Sequence, residues 1–250
     1  MREMGKLGVA VHHNDRYLRI TRLAGTPPRV ACETTAGKRL ESDVLLYCVG
    51  RDGNTNDLGL GTLGITPGKY GLLEVGDHYQ TVHPHIYAVG DVLGYPALAS
   101  TAMEQGRQAM RHAFGIAGPK GRTEALPFAV YSIPEVAYVG ATEEALVDKK
   151  TDYVAGRGDY AKNPRGQILG DSDGLLKLLF DRPSLKLVGA HVVGTAASEL
   201  VHIGETFLHQ GASATEIAET IYNYPTLSDM YRHAAVKALG EDRRRKERAP

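Results

Sequence analysis

Apolar and polar positions near the start of the chain fall into short runs that predict strands. Gly8-Val-Ala-Val-His12, Tyr17-Leu-Arg-Ile-Thr21, Arg29-Val-Ala-Cys-Glu33 and Val44-Leu-Leu-Tyr-Cys-Val49 are separated by turn-forming residues. The second and third runs alternate, which is the period of a strand with one solvated face. The fourth is continuously apolar, the mark of a strand covered on both faces, and Gly50 ends it. Residues 1–7 read as the tail of a helix. Further on, Ile86-Tyr-Ala-Val89 predicts a second buried strand, which runs directly into Gly90 and Asp91. A helix is expected next: Ser100 or Thr101 can cap it, and Met103, Gly106, Met110 and Ala113 recur on one face. Gly115 can close it.

Gly118-Pro-Lys-Gly121 reads as a linker, and beyond it the pattern changes to α+β. A strand is predicted over residues 136–139 and a helix after Thr142. Residues 175–180 and 186–193 form a hairpin turned by Asp181-Arg-Pro-Ser184. A helix over residues 196–210 presents Leu200, Ile203, Gly204 and Phe207 on its apolar face. Ser213-Ala-Thr-Glu216 and Thr226-Leu-Ser-Asp229 have capping-box spacing, so two more helices start there. The charged run 243–248 reads as a solvated tail.

Composition narrows the function classes. Lys plus Arg and Asp plus Glu each number 29, which leaves no excess charge to draw the chain to nucleic acid or to a membrane surface. No apolar run approaches the roughly 20 residues of a membrane span, and the first residues lack the layout of a signal peptide. A cytoplasmic address is expected. The two cysteines, Cys32 and Cys48, match no CxxC or zinc spacing, and Cys48 lies in an apolar run where a small buried hydrophobe is expected. The histidines form no HExxH pattern, so no metal site is expected.

A Gly-Asp turn after a buried strand suits a nucleotide site, because glycine permits close backbone approach and a carboxylate accepts hydrogen bonds from sugar-like hydroxyls. The passage Thr81-Val-His-Pro-His-Ile-Tyr-Ala-Val-Gly-Asp91 resembles the second FAD-binding motif of the pyridine nucleotide-disulfide oxidoreductase family. Val49-Gly-Arg51 with Asn54-Thr55 resembles the family's return from NAD domain to FAD domain, and Leu98-Ala-Ser-Thr-Ala-Met-Glu-Gln-Gly-Arg107 its flavin-facing helix. Ile133-Pro-Glu-Val-Ala-Tyr-Val-Gly140 with Thr142-Glu143 resembles the opening of its dimerisation domain. These motifs span essentially the whole chain.

The resemblance implies an α/β plus α+β fold: partial nucleotide-binding domains followed by an α+β dimerisation domain. Residues 1–50 would be the C-terminal remnant of the NAD(P)-binding domain, 51–121 the C-terminal part of the FAD-binding domain, and 122–250 the dimerisation domain with its charged tail. It implies that Asp91, after Gly90, binds the ribityl chain of FAD, that the backbone at Leu98 and Ala99 lies against the flavin, and that Gly50 lies against the nicotinamide nucleotide. FAD and NAD(P) are thus the expected cofactors, nicotinamide nucleotides and a second copy of the chain the expected partners. No GxGxxG fingerprint opening a βαβ unit near the start, and no CxxxxC redox pair, is found in these residues, so both cofactors would be incompletely bound and position 1 would fall at the last helix of the NAD domain.

Disulfide reductases of the family end in a His-Pro-Thr segment whose histidine serves the thiols as a base. Here the segment reads Tyr222-Asn-Tyr-Pro-Thr-Leu-Ser-Asp229, so Tyr224 stands in the histidine's place and Asp229 in that of the glutamate which orients it. A phenol is a poor base at neutral pH. No catalytic side chain is therefore expected in this chain. The segment, with Gly90-Asp-Val-Leu-Gly-Tyr-Pro-Ala-Leu-Ala-Ser100, resembles the soluble NAD(P)+ transhydrogenase branch, implying FAD-mediated hydride transfer between NADPH and NAD+. Two alternatives stay open: a cofactor-free dimerisation module, and a fragment of a dihydrolipoamide- or mycothione-type disulfide reductase.

Overall fold

A computed structural model describes residues 2–118 and 125–248, and the chain divides into two compact units, 1–120 and 121–250. Of the expected linker, only Gly118 lies among the described residues.

The first unit begins with a short helix, α1 (Arg2–Lys6), and an antiparallel meander of β1 (Tyr17–Leu23), β2 (Arg29–Thr34) and β3 (Arg39–Ser42). Strand alternation sorts its faces. Arg19, Glu33 and Arg39 stand in one cross-strand row and pair through Glu33, whereas the adjacent row is Ile20, Cys32 and Leu40. The β2–β3 turn is tied down by the Asp15 carboxylate, which accepts from Thr34 Oγ1, Thr35 Oγ1 and the Ala36 amide.

Three expected strands do not form in this unit. Residues 8–12 form no strand, and neither 44–49 nor 86–89 joins a sheet; Tyr87 makes only an isolated bridge to Gln80. A doubly buried strand needs a neighbour on each edge, and among the described residues the 44–49 run has none. Val44 and Leu46 are consequently more than four-fifths exposed, and Cys48, expected to be buried, is exposed with them.

The rest of the unit is mostly loop around a small core of Ile65, Leu73 and Ala88, followed by α2 (Ala99–Ala113). Gly115, in the left-handed region at φ +61°, follows the helix end as expected. The face α2 buries is not the expected one: Thr101 and Ala109 are covered, while Met103 and Met110 are exposed.

In the second unit, β4 (Phe128–Val130), β5 (Val136–Gly140), β6 (Tyr153–Asp159), β7 (Leu175–Asp181) and β8 (Leu187–Val193) make one antiparallel sheet in the order β4-β5-β8-β7-β6. Two short helices intervene, α3 (Glu143–Asp148), capped by Thr142 Oγ1, and α4 (Pro164–Leu169), capped by Asn163. Helix α5 (Ala197–Gln210) lies on β5 and β8, and α7 (Met230–Arg248) on β6 and β7, with α6 (Ala214–Glu219) between them in sequence. The expected face of α5 is buried at Leu200 and Gly204, with Ile203 and Phe207 half-buried beside them.

Both halves of the Ser213–Glu216 capping box form. The second proposed box does not: Thr226 caps a single 3-10 turn, and Asp229 turns instead to Arg232 and His233. Aspartate is one methylene shorter than the glutamate the motif needs to reach back. Residues 243–247 of the charged run are exposed, yet the run is the end of α7 rather than a free tail. Arg245 pairs with Asp152 at 2.7 Å, and the preceding Asp242 is buried against Arg182 at 3.1 Å.

Candidate functional site

Two loops of the first unit meet on a shared strut formed by residues 70–73. The Gly53 amide donates to Tyr70 O at 2.7 Å, Thr55 Oγ1 donates to Gly71 O at 2.8 Å, and the Leu73 amide donates to Val92 O at 2.8 Å. The first two bonds fix the loop after Gly50; the third fixes the turn after Gly90. Where the loop crosses the strut the backbones nearly touch, since a Cβ on Gly53 would lie 2.3 Å from Gly71 O. Only glycine fits there. The consequence is an ion pair between residues far apart in sequence: Arg51 Nη2 donates to Asp91 Oδ2.

Gly90, at φ +81°, opens a 3-10 turn over Gly90–Leu93, and its amide donates to Gln105 Oε1 at 2.7 Å. A Cβ at Gly90 would stand 3.3 Å from that of Ala102, so the turn is held close against the first turns of α2. Leu98 occupies the N-cap position of that helix with an extended backbone and no side-chain cap. Ala99 is its first residue. The leading amides of α2 thus keep their hydrogen-bonding capacity and the partial positive charge of a helix start. Within the same turn Thr101 Oγ1 is buried without a partner, an arrangement that native interiors rarely leave unanswered.

Among the five residues singled out from the sequence, Gly90, Asp91, Leu98 and Ala99 fall on this turn and helix start. Gly50 lies one residue before Arg51, at φ +141°, and a Cβ there would meet nothing within 4 Å. Within this chain, then, its need for glycine is conformational. Arg51 and Gln105 were both inside motifs legible in the sequence, yet nothing local distinguished them as partners of Asp91 and Gly90. Among the described residues no group of three or more His, Cys, Asp or Glu side chains is placed to hold a metal ion, and no helix is long and apolar enough to cross a membrane.

In the second unit Tyr224 is 77% exposed. Asp229, the carboxylate in the orienting position, has Arg232 Nε at 3.4 Å and His233 Nε2 at 3.3 Å. The Arg232 guanidinium also lies over the Tyr222 ring, 5.6 Å from its centroid, and donates to Thr220 O. Burial pushes the Tyr222 hydroxyl up to about 12.

Residues 1–106 match the family model described as pyridine nucleotide-disulphide oxidoreductase, and residues 126–235 match the model of that family's dimerisation domain. The chain belongs to the pyridine nucleotide-disulphide oxidoreductase family. It is 45% identical over 220 residues to a soluble pyridine nucleotide transhydrogenase of Mycobacterium tuberculosis, a match covering 88% of this chain and 46% of the relative. The crystal structure of LpdA from the same species superposes with a TM-score of 0.78 at 30% identity, covering 94% of this chain and 50% of that one. The fold is also that of the flavoprotein disulfide reductase RclA of Escherichia coli, with a TM-score of 0.82 at 23% identity over 94% of this chain and 53% of that one. This member of the family spans about half the length of the curated relatives it matches. The expected order of a redox domain followed by a dimerisation domain is present.

Proposed function

We propose that this chain supplies the flavin-side contacts and the dimerisation domain of an oxidoreductase that, when whole, passes hydride from NADPH to NAD+ in the cytoplasm. The observation that carries the reading is the placement of Asp91 on a glycine turn packed against the uncapped start of α2. The groups there suit a flavin, because a carboxylate, free amides and the unanswered Thr101 hydroxyl together offer acceptors and donors to a polyol chain and a polar ring edge. FAD, once bound, supplies the hydride chemistry.

The chain's own part is to bind and orient. Asp91 accepts hydrogen bonds from ribityl hydroxyls. The backbone at Leu98 and Ala99 lies against the ring edge that gains negative charge on reduction, where a helix start is favourable. Gly90 lets the backbone close in, and Gly50 lies against the nicotinamide nucleotide. On this reading residues 1–50 belong to the NAD(P)-binding domain, 51–121 to the FAD-binding domain and 122–250 to the dimerisation domain. Tyr224 in the histidine's place, together with relatives named as transhydrogenases, supports hydride exchange over thiol reduction.

A hybrid in which this chain replaces the matching part of the Mycobacterium tuberculosis relative is expected to transfer hydride from NADPH to an NAD+ analogue. Asp91→Ala in the hybrid should weaken FAD retention by about one to two decades, the equivalent of a charge-assisted hydrogen bond worth about 1.5–3 kcal/mol. Retention unchanged by that substitution would remove Asp91 from the site. The 250-residue chain alone, in which no glycine fingerprint opens a βαβ unit, should show no transfer at enzymatic rates.

The dimerisation domain is proposed to pair two copies isologously. Sedimentation of the chain should show dimers at micromolar concentration, and a pure monomer there would count against the pairing.

A further inference from the structure

We infer that Arg51 is a positioning residue of the proposed flavin site: its guanidinium holds Asp91 by Oδ2 and leaves Oδ1 to take the hydroxyls of a polyol chain. The inference rests on the reading of Asp91 as the ribityl contact. Its physical basis is the shared strut. Residues 70–73 bind the Arg51 loop through Gly53 and Thr55 and the Asp91 turn through Val92, so the pair is set by backbone hydrogen bonds rather than by chance contact of two long side chains.

Stability does not account for the pair. Arg51 is 73% exposed and Asp91 39% exposed, and ion pairs in such surroundings contribute little to folding. Recognition gains more from it. A carboxylate free to rotate must be ordered when a ligand arrives, whereas one held at a single oxygen presents the other in a fixed direction. Each carboxylate oxygen provides about two acceptor sites, so an arginine held at Oδ2 leaves Oδ1 with capacity for two hydroxyls. The guanidinium also offsets the carboxylate's charge where a phosphate-bearing cofactor approaches. Lysine could supply that charge, though without the planar geometry that fixes orientation.

The test is titration of riboflavin and of FMN into the purified 250-residue chain, comparing wild type with Arg51→Gln, Arg51→Lys, Asp91→Asn and the Arg51→Gln/Asp91→Asn double variant. Riboflavin carries the ribityl chain without phosphate or adenosine. Arg51→Gln is expected to weaken riboflavin binding about tenfold, Arg51→Lys to recover part of the loss, and the double variant to bind no more weakly than Asp91→Asn alone. Thermal midpoints should stay together across the set. Several outcomes would overturn the role. If Arg51→Gln binds riboflavin like wild type while Asp91→Asn does not, Arg51 positions nothing, although the site stands. If Arg51→Gln weakens FMN only, the arginine contacts phosphate directly. A lowered midpoint accompanying the loss would make its role structural. Absent wild-type binding, or undiminished binding by Asp91→Asn, would sink the site reading itself and this inference with it.

Discussion

Valine in place of Gly156 is expected to lower the stability of the second unit by about 3 kcal/mol or more, at the upper end of what overpacking costs. Gly156 sits in β6 directly beneath α7. A Cβ there would lie 1.9 Å from Ala234 O and 2.9 Å from the Ala238 amide nitrogen. Both obstacles are helix backbone, which cannot swing aside as a side chain can, so α7 must lift from the sheet. Ala234, Ala235 and Ala238, all fully buried, would lose their cover. Denaturant unfolding reads the change as a shifted midpoint. A midpoint unmoved by the valine would mean that α7 does not rest on β6 in solution.

Acid should destabilise the same unit through His191. This residue lies on β8, stacked on Tyr138 of β5 with 5.9 Å between centroids, directly across from Lys177 of β7. Both its ring nitrogens are buried. Burial and then the Lys177 ammonium hold the imidazole down to about 4 from its ordinary 6.5, against the opposing pull of Glu143 and Glu144 on α3. The unfolded chain therefore takes up this proton at a higher pH than the folded one does. The stability tied to His191 is complete above pH 6.5, falls as pH drops through the interval to 4, and is flat below it. The total is about 3 kcal/mol by linkage. His191→Phe, which continues the Phe128–Tyr138 stack, should remove that slope. Equal pH dependence for wild type and variant between pH 6.5 and 4 would show that the imidazole protonates freely in the folded state.

What was legible in the sequence had its cause close by along the chain. The Ser213–Glu216 box, the β7–β8 turn and the period of α5 each involve residues within a few positions of one another, and each stands as read. Strand β6 escaped notice because Gly156 and Gly158 occupy positions where alternation would call for apolar side chains. Those glycines make room for the α7 backbone, a fact set by a helix far along the chain. Residues 44–49 and 86–89 misled in the opposite way: their composition encodes burial between neighbours, and the described residues provide no such neighbours. Met103 and Met110 gave α2 an apolar face, but the face that packs here carries Thr101 and Ala109.

The site shows the same division. Gly90, Asp91, Leu98 and Ala99 belong to contiguous motifs and could be named from them. The Arg51–Asp91 and Gly90–Gln105 contacts depend on the strut and on the packing of α2, so no local spacing announces them.

The central claim, that Asp91 and the start of α2 form the flavin side of a nucleotide site, is tested most directly by mapping FMN on the isotopically labelled chain by NMR. The account predicts that amide signals of Gly90–Leu93 and of Leu98, Ala99 and Thr101 shift together as ligand is added, and that Asp91→Ala suppresses those shifts while the rest of the spectrum is unchanged. Shifts confined to other parts of the chain, or identical shifts in the Asp91→Ala variant, would contradict it.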